Sequence, residues 1–389
     1  MSPLTLYTRC VSRQAIWDSY LSPCAASREG DRRVARRARP VSRDLTGLLG
    51  VASIGRRARE RGRCHPPARL RQRSWAMDVC CLGILVADAF GSPIDDIPPK
   101  GSLRLFDHME LHIGGCAANA GIAMAKLGLE TSVIGKVGDD VFGNFVSKTL
   151  NDAGIDSRGV VVDPKASTSF TFVIVGADGQ RRFLHTMGAN ATLCAADVNM
   201  DIVRQAKVLH VAGTMVMPTF DGAQCAQVLQ AARAAGVTTC MDTVFNDRLQ
   251  DYMPVVGPCL PHLDLFLPSI EEAERVAGTS EPREIVRRLH EHGVRIVAVK
   301  LGPKGSYVFG EGEEAYVPSY AVKAVDTSGA GDCWVAGFLL GRLRGWGLVE
   351  SARFGNAVAA HCVQAFGCTA GVLDFEATRA FQRTARTIQ

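Results

Sequence analysis

Lysine is absent from the first 77 residues, which hold 17 arginines against five acids (Asp18, Glu29, Asp31, Asp44, Glu60). No run of about 18 consecutive apolar residues occurs anywhere, so no membrane-spanning helix is expected. Thirteen cysteines are present but none forms a C-x-x-C pair, which argues against a zinc site or a disulfide framework. The chain lacks a G-x-x-x-x-G-K-S/T phosphate loop and has no G-x-G-x-x-G after its first strand, so P-loop and dinucleotide-binding readings fall away. Neither the H-R-D and D-F-G pair of protein kinases nor a G-x-S-x-G hydrolase elbow is found.

What is there is a globular composition: 389 residues, 47% hydrophobic and 21% charged. The net charge of +5 is unevenly placed. After residue 77 there are 27 basic and 34 acidic side chains, so the part able to fold is mildly acidic and a nucleic-acid partner is not expected. Residues 1–77 show no sustained apolar period and cannot bury enough surface to offset ordering entropy. They are expected to be a disordered basic tail or an over-long start ahead of Met77, rather than a targeting peptide, which would be poorer in acids. Several cysteines sit in apolar runs, as Cys80, Cys81, Cys240 and Cys362 do. Buried free thiols in a reducing, cytoplasmic compartment are the expectation.

From Asp78 onward, short apolar runs alternate with amphipathic stretches. Strands are expected in 79–90, 131–137, 206–213, 236–243, 263–269 and 294–302. Helices are expected at 117–129, 220–236, 269–278 and 282–293, and two long ones at 330–345 and 348–366. This alternation predicts an α/β fold, a mainly parallel sheet covered by helices on both faces. Residues 103–115 and 169–188 instead alternate polar and apolar, with a turn at Ala177-Asp178-Gly179-Gln180. They predict a small β-sheet lid, with strands within about 90–115 and 167–188.

The stretch VDTSGAGDCWVAGF (325–338) runs small residues into one aspartate and then an apolar helix. Gly329, Ala330 and Gly331 let a ligand approach the backbone, and a helix start supplies unpaired N–H groups and a positive dipole end. Asp332 then stands in the first turn, placed to take a proton from an attacking hydroxyl, or simply to cap the helix. HIGGCAANAG (112–121) puts Gly114 and Gly115 between a strand and a helix, with Asn119 in its first turn, a pattern that suits a polyhydroxyl ligand. VKLGPKGSYV (299–308) places Gly302 and Gly305 in a tight turn between two strands.

Together, GGCAAN (114–119), IGKVGDDVFG (134–143) and DTSGAGD (326–332) resemble the ribokinase-like, PfkB family of carbohydrate kinases. The resemblance covers about Asp78 to Leu373, so 78–389 is expected to be the kinase domain. It implies the ribokinase-like three-layer α/β/α fold with a lid sheet, which in this family often pairs two subunits, so a homodimer through the lid is expected. It also implies ATP-dependent phosphorylation of a sugar hydroxyl, with Asp332 as base and the amides of Gly329, Ala330 and Gly331 as anion hole. Asp88, Gly114, Gly115 and Asn119 match the sugar site. Lys300, Gly302 and Gly305 match the turn beside the nucleotide, and Asn356 the helix bordering adenine. Asp326 and Ser328 resemble a monovalent cation (K⁺) site. Glu272 corresponds to an acid tied indirectly to Mg²⁺, although Ser269 stands where the family often has Asn.

Val86 and Cys116 replace polar residues of ribokinase proper, which makes ribose a poor fit, because a site built for hydroxyls loses much when a partner is missing. The lid run RRFLHTMGAN (181–190) offers Arg181, Arg182, His185 and Asn190 around Phe183, which could stack on a sugar. His185 is a candidate sugar contact, and an arginine could hold an acidic or phosphorylated sugar. Met215, Met217 and Phe220 leave a nucleoside open as substrate. A non-catalytic sugar binder is the remaining alternative.

Overall fold

Thirteen strands occur among residues 75–388, the part of the chain that the computed structural model describes. All but the last three residues of the basic extension lie outside that range. In chain order the strands are β1 (Met77–Gly83), β2 (Val86–Ser92), β3 (His108–Gly114), β4 (Thr131–Gly138), β5 (Asp156–Asp163), β6 (Phe170–Val175), β7 (Arg181–Thr186), β8 (Ala206–Thr214), β9 (Thr238–Thr243), β10 (Leu265–Phe266), β11 (Ile296–Lys300), β12 (Gly305–Gly310) and β13 (Glu313–Pro318). The helices of two turns or more are α1 (Cys116–Lys126), α2 (Val141–Asp152), α3 (Ala223–Ala234), α4 (Ile270–Ala277), α5 (Pro282–Glu291), α6 (Ala330–Leu343), α7 (Leu348–Cys362) and α8 (Phe375–Thr384).

Nine strands form one sheet in the order β13-β12-β11-β10-β9-β8-β1-β4-β5. It is parallel from β11 to β5, with the β11–β12–β13 meander closing one edge antiparallel. Strand alternation sorts its side chains into two cores. Val79 and Cys81 of β1 pack on the side of α1, α2, α6 and α7. Cys80 and Leu82 pack on the side of α3, α4 and α5. Both faces are dry, so the strands read as continuous apolar runs. This is the expected three-layer α/β/α arrangement.

One expectation changes. The run 79–90 reads as a single buried strand, but the chain leaves the large sheet after Gly83, and 86–92 joins the small one. A Cβ on Gly83 would lie 1.8 Å from the Ala212 carbonyl oxygen, so only glycine lets β1 approach β8 there. The Asn190 side chain then clamps Leu85, accepting from its N–H at 3.1 Å and donating to its carbonyl at 2.9 Å. The 263–269 run yields only the two-residue β10, while the edge strand β5 and the last helix α8 have no counterpart in the sequence reading.

The small sheet has the order β3-β2-β6-β7. Its register aligns Asp88 of β2 with His112 of β3 and Thr171 of β6, and Thr171 with His185 of β7. Because side chains alternate, these four share one face with Phe90, Phe183 and Arg181, while Met109, Leu111, Phe172 and Leu184 share the other.

Candidate active site

Parallel α/β sheets bind ligands at the carboxyl ends of their strands. Here β9 ends at Asp242-Thr243, β11 ends at Lys300, and the first turn of α6 lies against them. Gly329 caps α6 in the left-handed region (φ 71°), where a Cβ would lie 2.5 Å from the Cys368 carbonyl oxygen. The cap therefore demands glycine on both steric and conformational grounds. In the first turn of this fourteen-residue helix the Ala330 N–H donates to the Thr327 carbonyl at 3.3 Å, while those of Gly331 and Asp332 find no backbone acceptor among the described residues.

Asp332 is buried in that first turn. Its Oδ2 accepts a hydrogen bond from Asn119 Nδ2 at 2.9 Å. The Asn119 Oδ1 is buried and has no hydrogen-bond partner among the described residues. Burial pushes the Asp332 carboxyl up to about 6, although Asn119, the Lys300 charge and the Cys116 thiol each pull it down. This is the signature of a carboxylate poised to take up a proton near neutrality.

The Lys300 ammonium donates to Asp242 Oδ2 at 2.5 Å. It also lies 3.2 Å from where a Cβ on Gly331 would be, so it borders the first turn of α6 itself. Burial alone would lower it, but the carboxylates of Asp242 and Glu272 outweigh that and hold it above its ordinary value. Burial raises Asp242 and Glu272, and Lys300 opposes both shifts. Lys300, expected at the turn beside the nucleotide, ends β11 and carries its charged end toward Asp242 and Gly331. Asp242 is missing from the sequence reading; its signal is a polar residue closing an apolar strand of a parallel sheet.

Glu272 stands at the start of α4, where its Oε2 accepts from Ser269 N–H at 2.8 Å and from the Thr243 hydroxyl at 2.9 Å. It thus also closes a capping box with Ser269. Among the described residues no three metal-binding side chains converge in ligand geometry. Asp242, Glu272 and Asp332 with Lys300 nevertheless make an acid-rich cluster. Such a donor set fits a Mg²⁺ that keeps most of its waters and borrows phosphate oxygens.

Gly302 and Gly305 bracket the turn between β11 and β12, and a Cβ on Gly302 would meet open space. The Asn356 amide donates to the Val317 and Pro318 carbonyls at 3.0 Å each, and its Oδ1 accepts from Trp334 Nε1 at 2.7 Å and from the Ser306 hydroxyl at 3.4 Å. That side chain fastens β13 to α7.

On the lid, Asp88 is raised by burial, partly offset by a hydrogen bond from Thr171. It lies over Gly114, where a Cβ would fall 1.9 Å from Asp88 Oδ2. Gly115 starts α1 and so aims Asn119 at Asp332. His185 Nδ1 and the Thr171 hydroxyl are 3.1 Å apart.

At the expected cation site the Arg181 guanidinium stands against Asp326. Asp326 Oδ1 accepts from the Arg181 guanidinium and from Ser328 N–H at 2.8 Å, and its Oδ2 accepts from Gly367 N–H at 2.9 Å. Ser328 Oγ also accepts from Arg181, at 3.1 Å. The Val363 carbonyl already accepts from Val325 and Asp326 N–H. Burial would raise Asp326, but Arg181 and the two amides overcome it and hold the carboxyl below its usual range.

Residues 76–374 match the family model described as pfkB family carbohydrate kinase. Fructokinase-1 of Oryza sativa is 31% identical over 58% of this chain and 72% of its own length. A 5-dehydro-2-deoxygluconokinase of Clostridium perfringens is 26% identical over 78% of this chain and 92% of its own. Among solved structures, an Arabidopsis thaliana ribokinase complexed with ribose and ATP has a TM-score of 0.68 at 27% identity, covering 79% of this chain and 99% of its own.

Proposed function

The chain belongs to the pfkB family of carbohydrate kinases, and we propose that it transfers the γ-phosphoryl group of ATP to a hydroxyl of a small neutral sugar, with Asp332 as the general base. One observation carries this reading: a buried carboxyl raised to about 6 stands in the same helical turn as the anion-binding amides of Gly329, Ala330 and Gly331. The hydroxyl oxygen attacks the γ-phosphorus, its proton goes to Asp332 Oδ, and the bond to the ADP oxygen breaks in line. Asn119 fixes the Asp332 carboxylate. Lys300 offsets phosphate charge beside Gly331. Mg²⁺, when bound, neutralises charge between phosphates, and Asp242 and Glu272 are the residues that would hold its water shell.

Asp88, with Thr171, His112 and His185 in the same row, supplies the lid's hydroxyl-binding face. A neutral sugar is favoured over an acid or sugar phosphate because both lid arginines are committed. Arg181 binds Asp326, and Arg182 donates to the Asp95 carbonyl at 2.6 Å. A nucleoside is disfavoured because Met215, Met217 and Phe220 are fully buried in the core and offer no pocket wall.

A coupled ADP-release screen tests the reading over pentoses, hexoses, sugar acids, sugar phosphates and nucleosides. A neutral sugar should give the highest kcat/KM. Turnover confined to acids, phosphates or nucleosides would overturn the substrate class, and no sugar-dependent ADP release at all would overturn the kinase reading.

Three further readings accompany it. Met109 and Leu184 are 65% and 56% exposed on the lid face away from Asp88, which supports pairing of two copies through the lid. Sedimentation should therefore show a dimer that Leu184→Glu dissociates. Ten described cysteines are free and eight of them buried, which supports a reducing compartment such as the cytoplasm. Among the described residues no helix is long and apolar enough to cross a membrane. The kinase domain is taken as 78–389, and a truncation starting at Met77 should keep full activity.

A further inference from the structure

The Asp326 site lies at the foot of the catalytic turn, six residues before Asp332 in the sequence. It is filled from the lid. Arg181, the first residue of β7, reaches Asp326, Ser328 Oγ and, at 3.4 Å, the Val325 carbonyl. Its side chain is only 15% exposed and that of Asp326 fully buried. The guanidinium also sits 5.2 Å from the Phe366 ring centroid, and Phe366 packs edge-on against Phe90 of the lid at 4.9 Å. Gly367, the next residue, closes the far side of Asp326. One positive charge therefore ties three segments together: the lid hairpin, the turn leading into the anion hole, and the 363–368 loop.

We propose that Arg181 is a built-in substitute for a monovalent cation, a positioning residue that fixes the anion-hole turn from the lid and makes the enzyme independent of K⁺. This rests on the kinase reading only for its turnover readout. Both oxygens of Asp326 are occupied by N–H donors, and the charge a cation would bring is already present and covalently attached. A guanidinium suits the place because its planar fork can engage a carboxylate, a hydroxyl and a carbonyl at once. It follows that closing the lid and ordering the phosphoryl site are one event here, whereas an ion would leave them separate.

The test compares the full-length protein with Arg181→Ala and Arg181→Lys in potassium chloride and in tetramethylammonium chloride at equal ionic strength. Thermal unfolding reads the cation site without turnover, and ADP release with the best sugar of the screen reads catalysis. The wild-type protein should show the same Tm and kcat in both salts. Arg181→Ala should lose about tenfold in kcat in tetramethylammonium, less than direct loss of an anion-hole donor costs. Potassium should restore kcat to within about threefold and raise the variant's Tm by saturating the vacated site. Arg181→Lys should stay potassium-independent. Potassium-specific activation or stabilisation of the wild-type protein would overturn the proposal, and this arm needs no variant to fold. So would an Arg181→Ala protein that folds and responds to neither salt. If no sugar is turned over, the kinase reading fails while the thermal comparison still decides the cation site.

Discussion

Asp326 and Asp332 open and close one seven-residue motif, and both are buried. Their environments drive them in opposite directions. Asp326 receives a guanidinium and two backbone N–H groups and is held ionised below its usual range. Asp332 receives one carboxamide hydrogen bond and shares Lys300 with two other acids, so burial wins and its carboxyl rises to about 6. The contrast shows that burial alone does not set a carboxylate's role. The donors that accompany burial decide whether it is a fixed anion that ties segments together or a base that can take and release a proton.

The comparison can be broken from either end. The largest effect is expected for Asp332→Asn, which removes the proposed base and keeps the shape. Sugar-dependent kcat should fall by at least about a thousandfold, the upper range for positioned general bases. ATP affinity, by calorimetry, should stay within a few-fold; turnover within tenfold of wild type would end the base assignment.

Next is Asp326→Asn, which leaves Arg181 poorly paired in a mostly buried place. Removing one partner of such a pair should cost on the order of 3 kcal/mol, read as a drop of roughly 6 °C in Tm. An unchanged Tm would mean the pair carries nothing.

The same substitution at Asp332 should act in the other direction. An acid whose folded value is raised from 3.8 to about 6 makes the folded state hold its proton more tightly between those values. Stability is therefore lost as pH rises through that window, and the whole penalty is present above it. Asp332→Asn should gain on the order of 3 kcal/mol at pH 7.5 and close to nothing below about pH 4. Chemical denaturation at the two pH values checks both halves. The smallest effect belongs to Cys116→Ser, which keeps a donor beside Asp332 and should change kcat by less than about threefold.

The two aspartates also divide in how far the sequence discloses them. The turn before α6 was legible because its chemistry is local: small residues, a helix start and one acid within seven positions. GGCAAN was legible for the same reason, and its Asn119 does reach Asp332. The Arg181 partnership was not, because it joins positions 145 apart and depends on where a hairpin lands. The expected cation site drew on Asp326 and the carbonyls near Ser328, Val363 and Gly367, with no place in it for a lid arginine. Asp242 and the inward turn of Lys300 were hidden because they follow from which strands lie side by side, which the spacing of apolar runs does not reveal. The β1–β2 break was hidden because both halves are buried, so the apolar run is continuous while the chain changes sheets at Gly83.

The central claim is that Asp332 is a buried base whose raised proton affinity sets the reaction. It is tested most directly by the pH dependence of kcat/KM for the sugar in the wild-type protein. Asp332, Asp242 and Glu272 interact, so the break belongs to the cluster as a whole. The account predicts a plateau above about pH 7 and a tenfold fall per pH unit below about 6. A profile that stays flat to pH 4.5, the range of an ordinary carboxylate, would contradict it.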